Sequence, residues 1–140
     1  MMKILILQIT LLQIIIAANI EYGDKEIIKM MSEYFRVESK APELINHSFY
    51  VQATQTIFQI EIRTNPKFVN DALLFSFKAI NQLANIAKTK FTHSVVLIHF
   101  FTNALPVMAE SKLDCSKKFF IDGKNTEKEW LNNCLIINNY

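Results

Sequence analysis

The stretch from Pro66 to Lys88 constrains this chain more than any other. Asn65-Pro66 opens it with helix-start chemistry: Asn offers an acceptor to free N–H groups, and Pro is tolerated at the first helical position. Wound as a helix, Lys67, Asn70, Asp71, Lys78, Asn81, Gln82, Asn85 and Lys88 share one arc about 120° wide. Phe68, Leu73, Phe75, Ile80, Leu83 and Ile86 stand among the residues that fill the rest. An ordinary surface helix shows a narrower apolar stripe. The spacing therefore predicts a helix laid against a sheet, covered on its flanks, and acting as the spine of a small domain.

A chain of 140 residues is one domain by length. With 51% hydrophobic and 20% charged residues it can bury a core, which excludes the disordered class. The net charge of +2 comes from interspersed signs, without the basic stripe that nucleic acid requires. Two glycines leave no room for a glycine-rich phosphate loop.

The N-terminus reads as a secretory leader. Met1-Met2-Lys3 is a short positive start, Ile4 to Ile16 is an apolar run broken by Gln8, Thr10 and Gln13, and Ala17-Ala18 follow. The run is about 13 residues, short of the roughly 20 that cross a bilayer. Residues 1–18 are thus expected to be a signal peptide and 19–140 a single exported domain, secreted or periplasmic, with no stable membrane span after cleavage. The alternative is anchoring through an uncleaved N-terminal segment.

Asp24 is expected to cap a helix running to about Glu38, with Ile27, Ile28, Met31, Tyr34 and Phe35 at helical spacing. Ala41-Pro42 stops it. Ser48 to Arg63 reads as strand, but the apolar phase slips by one between Thr54 and Thr56. A β-bulge in one long strand or a tight hairpin would accommodate the slip. No Gly, Asn or Asp sits there, so one bulged or bent strand is the expectation and the hairpin the alternative. Asn46-His47-Ser48 matches the N-glycosylation acceptor pattern.

Lys88 and Lys90 suit a helix C-terminus electrostatically. Ser94 to Phe101 is apolar on both parities, as a central strand would be. His93 and His99 share a face about 20 Å apart along that strand, too far to hold one metal ion. His99 interrupts an apolar run, either as a neutral histidine with one hydrogen bond or as a base or ligand. His47 is expected in a loop. Val107 to Asp114 alternates like a strand with one wet face, where Glu110 and Asp114 flank Lys112 as a solvated edge. Phe119-Phe120-Ile121 suggests a short edge strand. Thr126 to Glu129 matches a capping box, ahead of a helix carrying Trp130, Leu131, Cys134 and Leu135 on one apolar face.

Cys115 and Cys134 are the only cysteines, and in an exported chain such a pair is first a disulfide. It would staple the last helix to the sheet. Two cysteines without a CxxC or a paired histidine make a poor zinc site. A catalytic Cys115 with His99 and Asp114 is the chemical alternative. No metal, cofactor or nucleotide motif is present.

The elements together predict an α+β two-layer sandwich: an antiparallel or mixed sheet of about 3–5 strands with helices mainly on one face. The expected function is a non-enzymatic binding or envelope-assembly domain, taking an unknown protein or envelope component and no cofactor. The alternative is a small hydrolase or thiol enzyme using His99 and Cys115. If helices leave them uncovered, Gln55, Gln59, Glu61 and Arg63 would form the binding surface.

Overall fold

The computed structural model describes residues 20–139, so the proposed leader lies outside the described residues. The described elements are α1 (Asp24–Val37), β1 (Glu43–Gln52), β2 (Gln55–Thr64), a 3-10 turn (Pro66–Phe68), α2 (Val69–Ala84), β3 (His93–Phe100), β4 (Val107–Lys112), α3 (Leu113–Phe120), α4 (Glu127–Asn133) and β5 (Leu135–Asn139). The strands form one mixed sheet in sequence order, β1 to β5. All neighbours are antiparallel except β2 and β3, which run parallel and are joined through α2. The architecture is α+β, with the helices packed against the sheet.

The core is built from one face of that sheet. Ile60, Ile62, Val96, Ile98 and Ala109 are wholly buried there. They share a cluster with Met31 and Phe35 of α1, Leu73, Phe77 and Ile80 of α2, and Trp130 of α4. Each fully buried side chain of this size contributes roughly 1.5–3 kcal/mol of transfer free energy. The spine helix is shorter than its sequence signal: Pro66 begins a 3-10 turn, and the α-helix covers Val69–Ala84. Asn65 precedes that turn without a side-chain cap bond. Asn81, placed on the polar arc by spacing, is 1% exposed and donates through Nδ2 to the Phe77 carbonyl at 2.9 Å. After α2 the chain pairs briefly with the N-terminal segment, where Tyr22 N–H donates to Ile86 O and Lys88 N–H to Tyr22 O, both at 2.7 Å. Lys90 Nζ donates to the Ala87 carbonyl at 2.8 Å.

Several expectations are corrected. The residue at the cap of α1 is Gly23, and Asp24 is the first helical residue, where its charge still suits the helix N-terminus. The stretch expected as one bulged strand is a hairpin, with Gln52 paired to Gln55 across Ala53-Thr54. Ala53 adopts φ 55°, the left-handed region, so the turn forms without the glycine or asparagine that usually supplies it. The bulge lies elsewhere, between Leu44 and Asn46, because β1 begins at Glu43 rather than Ser48. His47 is inside β1, paired with Ile60, not in a loop.

The C-terminal third differs most. The alternation of β4 ends at Lys112, and Leu113–Phe120 is helix, so Asp114 and Glu110 do not share a strand face and Phe119-Phe120 is no edge strand. Leu113, Ser116 and Phe120 recur at helical spacing, which overrides the short alternation. The capping box forms as expected, with Thr126 N–H to Glu129 Oε2 at 2.8 Å and Glu129 N–H to Thr126 Oγ1 at 3.2 Å. Its helix stops at Asn133, and Leu135–Asn139 forms the outermost strand beside β4.

Left-handed backbone costs an L-residue roughly 1–2 kcal/mol, and glycine adopts it freely while losing more entropy on folding. Ala53→Gly is therefore expected to stabilise the domain by about 0.5–1 kcal/mol, the strain relieved less the entropy added. A urea titration checks this. An unchanged or lowered midpoint would show that Ala53 is not strained.

Candidate binding face

Among the described residues, helices α1 to α4 lie against one sheet face, and none of them packs on the other. The register rows define it. Ser48, Gln59, Val95, Glu110 and Ile136 lie side by side across the five strands. The next row is Asn46, Glu61, Leu97, Met108 and Asn138. Beyond it come Glu43, Arg63 and His99. The period-2 alternation of the strands places these residues opposite the core. Ile57 and Val95 are buried at 6% and 3%, yet neither belongs to the main core cluster.

Two close pairs of titratable side chains lie on this face. His99 Nε2 stands 3.4 Å from Glu61 Oε2, with side chains 34% and 25% exposed. Arg63 Nη1 donates to Glu43 Oε2 at 3.5 Å, and its guanidinium lies 5.6 Å from the centroid of the Phe101 ring. Tyr50 donates its hydroxyl proton to Gln59 Oε1 at 3.3 Å. The expected surface residues Gln59, Glu61 and Arg63 are thus brought together and partly accessible, and Gln55 lies exposed at the hairpin end of the same strand. Leu97, Met108 and Ile136 were not singled out from sequence. Leu97 and Met108 lie inside runs that read as apolar core and wet edge, and Ile136 just past the apolar helix face that ends at Leu135.

The sulfur atoms are bonded. Cys115 and Cys134 form a disulfide with their Cα atoms 5.5 Å apart, which ties α3 to the end of α4. Cys134 is buried at 5%. Beside it Trp130 Nε1 donates to Ser116 Oγ at 3.0 Å, and Ser116 Oγ also bonds Ser111 Oγ. His99 is not brought to Cys115. A cleft of about 600 Å³ holds Cys115 and Asp114 beside His93, Lys112 and Thr54. His99 lies six residues away along β3, about 20 Å at 3.3 Å per residue.

A larger cleft of about 950 Å³ opens on the helical side, between the segment following α1, helix α2 and helix α3. Leu74, Phe75, Phe119 and Phe120 line it, with Lys40 and Lys78 among its charged residues. Among the described residues no group of three or more His, Cys, Asp or Glu side chains is placed to hold a metal ion. None of the described helices is long and apolar enough to cross a membrane.

Compared with protein-family models, with characterised proteins and with solved structures, the chain matches none.

Proposed function

We propose that this chain is an exported, disulfide-stapled, non-enzymatic domain that binds a polypeptide partner or envelope component through the sheet face opposite its described helices. One observation carries the proposal. Among the described residues the helices gather on one side of the sheet, while the other side carries half-buried apolar and charged residues on adjacent strands. Both signs of charge occur there, with Glu61 and Glu110 acidic, Arg63 and Lys112 basic, and Leu97 and Met108 between them. Such a mixture complements a polypeptide surface better than a uniformly charged polymer. Export is supported by the leader-like N-terminus and by the disulfide, which persists in oxidising compartments.

Fractionation of cells producing the full chain tests export. Recovery of the protein outside the cytoplasm, shortened at about residue 18, is expected. Cytoplasmic retention with an intact N-terminus overturns it. A photo-crosslinking residue placed at Leu97 tests the face in the native host. It is expected to give a discrete protein adduct that is lost in the Glu61→Lys variant and absent when the residue is placed at Lys29 on α1. Equal labelling from both positions overturns the assignment of the face.

A further inference from the structure

We infer that Asn46 is an N-glycosylation site, and that its glycan guards the β1 edge of the sheet. The inference rests on the export reading above, because the modification takes place only inside a secretory pathway. Asn46 is the one asparagine of the chain that stands two before a serine or threonine with no proline between. The fold places this triplet where a glycan fits. Among the described strands β1 is outermost, paired with β2 alone, and both Asn46 and Ser48 are exposed. The two recognised side chains point the same way, since residues i and i+2 share a strand face. His47 between them faces the helical side. Asn46 Oδ1 accepts the His47 backbone N–H at 2.9 Å, while Nδ2, the atom to be modified, has no protein partner. Among the described residues the Ser48 hydroxyl likewise has no hydrogen-bond partner.

The transfer needs one co-reactant, an oligosaccharide linked to a polyprenyl pyrophosphate. The Asn46 Nδ2–H bond gives way to a bond from Nδ2 to sugar C1. The C1–O bond to pyrophosphate breaks, the lipid pyrophosphate leaves with that electron pair, and the amide proton passes to the transferase base. No packed side chain has to move, and the amide stays on the solvent side of the strand.

The edge itself gives the glycan a role. An unpaired edge strand offers its free backbone groups to any other strand, and natural sheets blunt such edges. β1 exposes Ile45 at 40% and Val51 at 69%, and a bulge interrupts it between Leu44 and Asn46. A glycan beside that bulge bars edge-to-edge pairing. By register it also stands next to Glu61 and Gln59.

The test expresses the full chain in eukaryotic cells in two forms: with its own N-terminus, and with a proven cleavable leader fused ahead of it. Gel mobility is read before and after peptide N-glycosidase F. The leader-fused chain is expected to carry one glycan, removed in a single step. Asn46→Gln and Ser48→Ala are expected to abolish it, and Ser48→Thr to keep it. A leader-fused chain that has formed its disulfide in the lumen yet shows no glycosidase-sensitive shift overturns the site. If only the leader-fused form is glycosylated, the site stands and the export reading fails.

Discussion

Trp130→Ala is expected to lower the unfolding free energy by about 3–5 kcal/mol, the range for truncating a buried aromatic. Trp130 is wholly buried and central to an aromatic cluster, with ring centroids of Phe120, Phe77 and Phe119 at 4.9, 5.4 and 5.9 Å. It joins α2, α3 and α4 in one contact, and no single neighbour can fill the volume it would leave. Domains are held by roughly 5–15 kcal/mol, so the variant would sit close to unfolding. Trp130→Phe keeps much of the ring packing and loses the Nε1–H bond to Ser116, which retains Ser111 as a partner. Its expected cost is about 1–2 kcal/mol. Urea titrations followed by circular dichroism separate the two. A loss below 1 kcal/mol for Trp130→Ala would mean that the aromatic cluster is not the keystone of the helical layer.

Opening the disulfide is expected to cost about 3 kcal/mol, because the pair spans 19 residues and its cross-link restricts the unfolded chain by that amount. The closed loop holds nearly all of α3 and the whole of α4, so both helices and Trp130 depend on it. The guanidinium midpoint should fall on reduction, and Cys115→Ala/Cys134→Ala should start at the lowered value and ignore reductant. An oxidised protein whose midpoint is indifferent to reductant would refute a stabilising role for the bond. Intact mass with and without reductant, on protein from its own host, reports the bond and leader cleavage together.

Periodicity was readable where elements were long. The spine helix, the central strand and the capping box each appear where residue spacing puts them, because each satisfies its own local geometry as well as the packing. The disulfide was readable because two cysteines behind a leader-like N-terminus, with no CxxC or paired histidine, leave few alternatives. The hairpin was obscured because Ala53 takes a backbone conformation its side chain disfavours, and the pairing of β1 with β2 enforces it. The helix at Leu113–Phe120 was obscured by a short alternation whose last two residues, Leu113 and Asp114, belong to the next element. β5 was obscured because Leu135 continues the apolar spacing of α4, although Ile136-Ile137 carried the β-branched signal. Of the candidate face, the polar row of β2 was visible in the sequence. Its apolar partners on β3 to β5 needed the strand register, which no single segment contains.

The parallel seam between β2 and β3 has a kinetic consequence. The hairpins β1–β2 and β3–β4 can each close over a short stretch of chain, at little entropic cost. The seam cannot form until the intervening residues of α2 are ordered against both strands. As the least local pairing in the sheet, its zipping is expected to be the late, slow event of folding. Substitutions at Ile62 and Ile98, which face each other across it, will show in the refolding rate.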